Sequence, residues 1–189
     1  FMARSFDKML VGPVFWYFIG GLPLAYLYST LAFMKWRTGK EGHSKGFGVF
    51  AEKLEYIFGI IPSYLSACLM LLASIFTPTA SFTRALKGFL TAKKGQFCLY
   101  EQGGRPVSVI IWALNISLGG SFVDYEGVNI KSKWIGPPGS TARLKSGHLK
   151  RTVYILAVSQ LIFIMLLLLF LQFDPSLAIS EMPETLPGF

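Results

Sequence analysis

The sequence predicts an all-α fold, a polytopic integral membrane helical bundle, and two observations predict it. Of the 189 residues, 52% are hydrophobic and only 15% are charged, whereas soluble domains usually carry about 25% charged residues. The charges are also segregated, because four long stretches of the chain contain none. A helix needs about 20 mostly apolar residues to span a bilayer, so these stretches predict membrane segments joined by basic loops.

The four uncharged stretches cover residues 10–34, 56–83, 106–123 and 152–173. The last is the clearest span, because it includes the unbroken apolar run LIFIMLLLLFL. The first contains Gly20-Gly21 followed by Pro23, and this break predicts a bent or interrupted helix packed inside the bundle. The third is short and partly polar, so we expect it to be re-entrant or packed within the bundle.

Two further segments have a distinct character. Residues 82–94 predict an amphipathic helix at the membrane surface, since their apolar and basic side chains fall on different faces. A helical extension of the second stretch would give the same pattern, and both interpretations stay open. Residues 118–139 form a glycine-rich loop that permits tight turns and close approach of a ligand. A binding loop and an irregular connection are both consistent with it.

The distribution of basic residues predicts an orientation. Loops 35–55 and 84–105 hold five basic residues each, loop 124–151 holds six, and the acidic tail 174–189 holds none. Because basic loops stay cytoplasmic, we expect all three loops inside and the tail outside a cell inner (plasma) membrane crossed more than once. Residues 1–173 would then form one membrane domain. Either neither the second nor the third stretch crosses fully, or both cross and one loop breaks the rule. The net charge of +8 indicates contact with anionic lipids of the bilayer, not with nucleic acid.

Several chemistries lack their sequence signatures. No phosphate-binding loop, dinucleotide-binding glycine pattern or nucleophile elbow is present, and the two cysteines are 30 positions apart. The two histidines, His43 and His148, lie in basic loops where a solvated role is the ordinary one. The apolar stretches that could cross the membrane contain no charged residue. This disfavours a transporter or a proton pump, which normally needs one there. The residues alone therefore predict no metal site and no cofactor.

Short motifs occur in an order that resembles one family. They include Pro13-Val14-Phe15-Trp16, Gly20-Gly21-Leu22-Pro23, Lys53-Leu54-Glu55, Leu118-Gly119-Gly120 and Tyr125-x-Gly127. Together they resemble the integral-membrane CobD/CbiB family of cobalamin biosynthesis, whose members are adenosylcobinamide-phosphate synthases. The resemblance extends to about residue 171 and implies that the N-terminal region of the family has no counterpart here. It also implies a corrinoid substrate, with ATP and Mg²⁺ as cofactors if the chain is active.

The departures from the family motifs fall on polar positions. Where the motifs have acidic residues, this chain keeps only Glu55, and the other positions read Arg4, Lys8, Lys35, Tyr56 and Val107. An arginine of the motifs corresponds to Tyr64. Because Mg²⁺ is held by carboxylate oxygens, these replacements predict a degenerate site in which Glu55 is the remaining catalytic candidate. The substrate-binding candidates are Lys53, Gly119, Gly120, Tyr125, Gly127 and Lys133.

Two functional hypotheses follow from the resemblance. One is an active synthase of the cobalamin family that attaches aminopropanol phosphate to a corrinoid carboxylate. The other is a catalytically degenerate relative that binds a membrane protein partner or acts in signalling, similar to the AmpE-like membrane proteins. The glycine-rich loop favours the cobalamin branch, because it is not expected in the AmpE-like branch.

Overall fold

The computed structural model describes residues 2–40, 47–78, 80–91, 104–119, 122–123, 129–130 and 134–173. Its helices are α1 (Met2–Ser5), a π-helical turn (Phe6–Val11), α2 (Gly12–Lys40), α3 (Phe47–Ile75), α4 (Phe82–Thr91), α5 (Gly104–Leu114) and α6 (Ser146–Phe173). Among the described residues, three helical stretches are long and apolar enough to cross a membrane, namely Met2–Lys35, Lys53–Ile75 and Ser146–Gln172. The predicted helical membrane bundle is therefore confirmed. A pair of two-residue antiparallel strands, β1 (Phe122–Val123) and β2 (Asn129–Ile130), is added to it in the glycine-rich loop.

The first apolar stretch folds back on itself and is not a straight span. Its backbone leaves the helical conformation at Gly20 and Gly21. A straight helix would separate Lys8 from Lys35 by about 40 Å, at about 1.5 Å per residue. Instead, the ammonium groups of both lysines lie within 3 Å of the same Glu55 carboxylate. The stretch is thus a hairpin, although its length and composition alone would suit a single crossing.

The packing of the two arms explains one glycine of this hairpin. A Cβ atom added at Gly12 would lie only 2.1 Å from Cε1 of Tyr28. The Tyr28 ring, which is fully buried, therefore occupies the space that a side chain at position 12 would fill. The predicted interruption is confirmed, and its consequence is that both ends of the stretch lie beside α3.

The second and third stretches differ from their predicted bounds. Helix α3 begins at Phe47 and ends at Ile75, eight residues before the predicted end, because a bend and turn follow at residues 76–78. Helix α4 is therefore separate and not an extension of α3, and residues 92–94 of the predicted amphipathic segment lie outside the described part. Helix α5, at 11 residues, is too short for a span, in line with the expectation for the third stretch.

Helices α4 and α5 form an antiparallel pair that begins and ends near the C-terminal end of α3. The amide of Ser81 donates to the carbonyl of Ala113 at 3.2 Å, and the Ser108 hydroxyl donates to the carbonyl of Gly88 at 2.9 Å. The chain segments before α4 and after α5 consequently lie at the same end of the bundle. The opposite end of α3 carries Glu55 and, through it, both arms of the hairpin.

Helix α6 extends along the bundle with one face turned outward. Ile155 and Phe163 are buried in the apolar core, and Phe6 and Phe18 pack edge-to-face against Phe163 and Phe170. Between Val153 and Leu171, most outward side chains of α6 are large and apolar, including Leu161, Met165 and Leu168. Such a continuous apolar surface on a helix of this length is typical of contact with lipid hydrocarbon.

The hairpin turn gives a first stability prediction. Gly21 has φ +66° and ψ −161°, a conformation that is essentially restricted to glycine. Gly21→Ala is expected to lower the free energy of unfolding by about 1–3 kcal/mol, measured by titrating detergent-solubilised protein with SDS. The control is Gly147→Ala, where an added Cβ meets no atom within 4 Å and alanine favours the helix. Equal stability of the two variants would contradict the strained turn.

Candidate functional site

A buried group of charged side chains lies between the hairpin and α3, and we call it the ion-pair cluster. It comprises Arg4, Asp7, Lys8, Lys35 and Glu55. The Nζ atom of Lys8 lies 2.6 Å from Oε1 of Glu55, and Nζ of Lys35 lies 2.8 Å from Oε2. The Glu55 side chain is only 3% exposed, so each of its oxygens carries a lysine ammonium group in place of water.

The local fold brings these side chains together from three chain segments. Lys8 lies in the π-helical turn, Lys35 lies on the returning arm of the hairpin, and Glu55 lies in the first half of α3. The indole of Trp16 on the entering arm donates to the carbonyl of Phe58 at 3.1 Å, which fixes that arm against α3. The cluster therefore depends on the reversal of the chain at Gly20-Gly21.

A second carboxylate adjoins the first. Asp7 is 1% exposed, and its Oδ1 atom accepts a hydrogen bond of 2.8 Å from the Ser66 hydroxyl. Its other oxygen lies 3.8 Å from the Lys8 ammonium. Lys8 thus lies between two carboxylates, and a hydroxyl of α3 completes the surroundings of Asp7.

The cluster also contains a third cation and a buried phenol. Arg4 is 8% exposed, and it lies in α1, within electrostatic range of Glu55, Asp7 and Tyr28. The Lys8 ammonium lies 5.8 Å from the centroid of the Tyr28 ring. Arg4, Lys8 and Lys35 supply three positive charges against the two negative charges of Asp7 and Glu55. The ion-pair cluster therefore carries a net charge of +1.

These residues do not fit a magnesium ion. Mg²⁺ requires freely available oxygen ligands in near-octahedral geometry, yet both oxygens of Glu55 already pair with lysine. Within the described part of the chain, no three residues of the usual metal-binding types come together. An additional cation would also meet the net positive charge of the cluster. The lysines supply the positive charge that a divalent ion would bring to Glu55.

A separate cationic contact lies on the other side of α3. The guanidinium of Arg105 lies 4.0 Å from the centroid of the Tyr64 ring, and its Nη1 atom donates to the carbonyl of Phe89 at 3.4 Å. Position 64 corresponds to an arginine in the motifs that this chain resembles. Here the tyrosine occupies the position, and α5 supplies the guanidinium that stacks on it, as cation–π pairs do.

The structure brings together only part of the set that the sequence singled out. Arg4, Lys8, Lys35 and Glu55 gather as described. Tyr56 is 40% exposed, and Val107 packs against the apolar core, so neither belongs to the ion-pair cluster.

Most of the predicted substrate-binding residues lie outside the part of the chain that the structure describes. Lys53 is exposed on α3, and Gly119 follows Leu118, whose amide pairs with the carbonyl of Ile135 at 2.9 Å. The others lie outside the described residues: Gly120, Tyr125, Gly127 and Lys133. Their role in binding stays a prediction.

Sequence reasoning missed three members of the site, namely Asp7, Tyr28 and Ser66. Asp7 directly precedes Lys8, the position that the motif comparison selected, and the adjacent acid was overlooked. Ser66 is one of several small polar residues in an apolar stretch, and only its contact with Asp7 distinguishes it. Tyr28 could be found only from the hairpin, which places its ring against Gly12.

Comparison with known proteins identifies the family. Residues 2–156 match the family model described as CobD/Cbib protein. The cobalamin biosynthesis protein CobD of Clostridium perfringens (strain 13 / Type A) is 29% identical over 121 residues, which cover 64% of this chain and 38% of that protein. The matched stretch is thus well under half of the relative's length. No solved structure matches the chain. Since the family model covers more than half of the chain, the chain belongs to the CobD/CbiB family of cobalamin biosynthesis.

Proposed function

We propose that this chain is a membrane component of cobalamin biosynthesis in which the family's acidic site has become a structural ion-pair cluster. In this proposal the chain does not itself perform ATP-dependent amide formation at Glu55. It keeps the membrane scaffold of the family, with a role in assembling or positioning other components. The name of the Clostridium perfringens relative supports a role in cobalamin biosynthesis. The ion-pair cluster supports the loss of ATP-dependent amide formation.

One observation carries the second part of the proposal. Both oxygens of Glu55 form ion pairs with lysines at 2.6 and 2.8 Å. Phosphoryl transfer from ATP depends on metal ions that neutralise the phosphate oxygens, and a carboxylate already engaged by two ammonium groups is a poor metal ligand. Lys8 and Lys35 occupy positions that are acidic in the motifs, so the change lies in the ligand set itself.

The proposal includes an orientation in a bacterial-type inner membrane. Segments 76–78 and 115–119 lie at one end of α3, whereas Lys35 near the end of α2 contacts Glu55 in the first half of α3. If α3 crosses the membrane, the basic loop 35–55 cannot share a side with loop 124–151. Loop 124–151 holds six basic residues and loop 35–55 holds five, so we assign loop 124–151 to the cytoplasm. This revises the expectation that all three basic loops are cytoplasmic, and it keeps the acidic tail outside.

Reporter fusions test this orientation. A reporter inserted within residues 140–147 is expected to be active as a cytoplasmic fusion, and reporters within 41–46 or after Phe189 as extracytoplasmic fusions. A cytoplasmic reading at 41–46 together with one at 140–147 would mean that α3 does not cross. Paired phosphatase and fluorescent-protein fusions at each site provide the measurement, because each reporter is active on one side only.

Genetic complementation tests the proposed function. Deleting the complete gene in its own organism is expected to lower corrinoid output. The same gene is expected not to restore cobalamin synthesis in a strain that lacks an active family synthase. Unchanged corrinoid output after deletion would contradict the pathway role. Restoration of the synthase-deficient strain that is lost with Glu55→Gln and kept with the exposed control Lys87→Gln would contradict the loss of the reaction.

A further inference from the structure

The ion-pair cluster contains a buried cation that no carboxylate balances. The three ion pairs of the cluster join Lys8 or Lys35 to Asp7 or Glu55, and among the described residues none includes Arg4. The Nη1 atom of Arg4 is buried without a hydrogen-bond partner. A guanidinium nitrogen that is removed from water and donates no hydrogen bond is unfavourable, particularly within a membrane domain.

A second unpartnered donor belongs to the same cluster. The Tyr28 hydroxyl is buried and also has no hydrogen-bond partner, and Tyr28 as a whole is fully buried. It lies within electrostatic range of Arg4, and its ring is the one that the Lys8 ammonium approaches. Arg4 lies four residues before Lys8 in the same helical run, and the Lys8 ammonium approaches the Tyr28 ring. The segment around α1 and the returning arm of α2 thus each bring an unpartnered donor to this part of the cluster.

The unpartnered donors of Arg4 and Tyr28 indicate which kind of ligand would complete their hydrogen bonds. Buried polar groups are almost always hydrogen-bonded, and an orphaned one calls for a bound ion, water or ligand. Water would satisfy a donor but would leave the net charge of +1. A singly charged oxyanion would satisfy both, since a guanidinium donates two parallel hydrogen bonds to phosphate or carboxylate oxygens.

We propose that Arg4 and Tyr28, assisted by the charge of Lys8, bind a singly charged oxyanion such as a phosphodiester or a carboxylate. The net charge favours a monoanion over a doubly charged phosphomonoester. The anion has two possible sources, a phospholipid headgroup and a water-soluble compound. This proposal does not depend on whether the family reaction has been lost.

The test measures anion-dependent stability of the purified protein. Unfolding temperature is followed by tryptophan fluorescence in a neutral detergent, with sodium dimethyl phosphate or sodium acetate added at constant ionic strength. In a second arm, phosphatidylglycerol is titrated into the same detergent and compared with diacylglycerol, which has the same acyl chains and no phosphate. A saturable rise in unfolding temperature is expected, and the arm that produces it identifies the source.

Two variants and two matched controls locate the site. Arg4→Gln and Tyr28→Phe are expected to weaken the apparent affinity, by roughly 10- to 100-fold for the charged donor. Arg105→Gln and Tyr154→Phe remove the same groups elsewhere and are expected to leave the affinity unchanged. Without anion, Arg4→Gln is expected to unfold at the same or a higher temperature than the unmodified protein, because it removes an unpaired charge.

Two results would overturn the proposal. One is the absence of a saturable response of the unmodified protein in both arms. The other is an equal response of Arg4→Gln and Arg105→Gln. If Arg4→Gln does not fold, the comparison of Tyr28→Phe with Tyr154→Phe decides the matter, since each removes a single oxygen atom.

Discussion

Replacing Glu55 with alanine is expected to lower the fraction of folded protein in detergent extracts. The change leaves the ammonium groups of Lys8 and Lys35 buried beside each other without their shared carboxylate. Breaking a buried ion pair by removing one partner costs about 3–5 kcal/mol, against a total stability of about 5–15 kcal/mol. The measurement is the fraction of extracted protein that elutes as a single symmetric peak in size-exclusion chromatography.

A triple variant serves as the control for this prediction. Glu55→Ala combined with Lys8→Met and Lys35→Met removes both ammonium groups together with their shared carboxylate, and it leaves Asp7 with the Ser66 hydroxyl and the positive charge of Arg4. Because exchanging a whole buried ion pair for apolar side chains is often neutral or stabilising, the triple variant is expected to recover much of the folded fraction. If the single variant were as well folded as the unmodified protein, the cluster would not be a structural element.

The double variant Lys8→Asp with Lys35→Asp is expected to make folding depend on divalent cations. Four carboxylates would then face one another, those of Asp7 and Glu55 and the two introduced ones, and they would repel strongly. A bound Mg²⁺ or Ca²⁺ ion would neutralise them and stabilise the folded state by mass action. We expect the double variant to lose its folded peak in EDTA and to regain it in millimolar Mg²⁺, whereas the unmodified protein responds to neither.

A surface variant controls for net charge. Lys53→Asp with Lys87→Asp makes the same change in charge at two exposed lysines, and it is expected to fold equally in EDTA and in Mg²⁺. The same cation response in both double variants would attribute the effect to overall charge. No response in the cluster variant would show that its backbone does not bring the four positions close enough for a metal.

Much of the fold follows from the sequence because apolar length and glycine–proline breaks act locally. The uncharged stretch that ends at Phe173 specifies α6, and Gly20-Gly21 specifies the interruption of α2. The direction of the chain after that interruption is not local. It depends on the contact of Gly12 with Tyr28 and on the attraction of two lysines to Glu55, which joins residues 20 and 47 positions apart.

The composition of the candidate site was predictable only in part for the same reason. Motif comparison identified Arg4, Lys8, Lys35 and Glu55, since each replaces or keeps a position of known type. From the motifs alone, the three basic residues would be expected to repel a metal ion. The motifs do not reveal that Lys8 and Lys35 pair with Glu55. Asp7 and Ser66 could not be predicted because the hydrogen bond between them depends on the π-helical turn. No residue pattern in the sequence predicts that turn.

Binding of Mn²⁺ to the purified protein, read by electron paramagnetic resonance, distinguishes a structural Glu55 from a metal-binding one. Mn²⁺ is a spectroscopic substitute for Mg²⁺ at oxygen-ligand sites. We expect the unmodified protein to leave the free Mn²⁺ signal unchanged at one equivalent, whereas the double variant Lys8→Asp with Lys35→Asp depletes it. Depletion by the unmodified protein that Mg²⁺ reverses and Glu55→Gln abolishes would show that Glu55 holds a metal ion, and the ion-pair cluster would then not be a structural replacement for one.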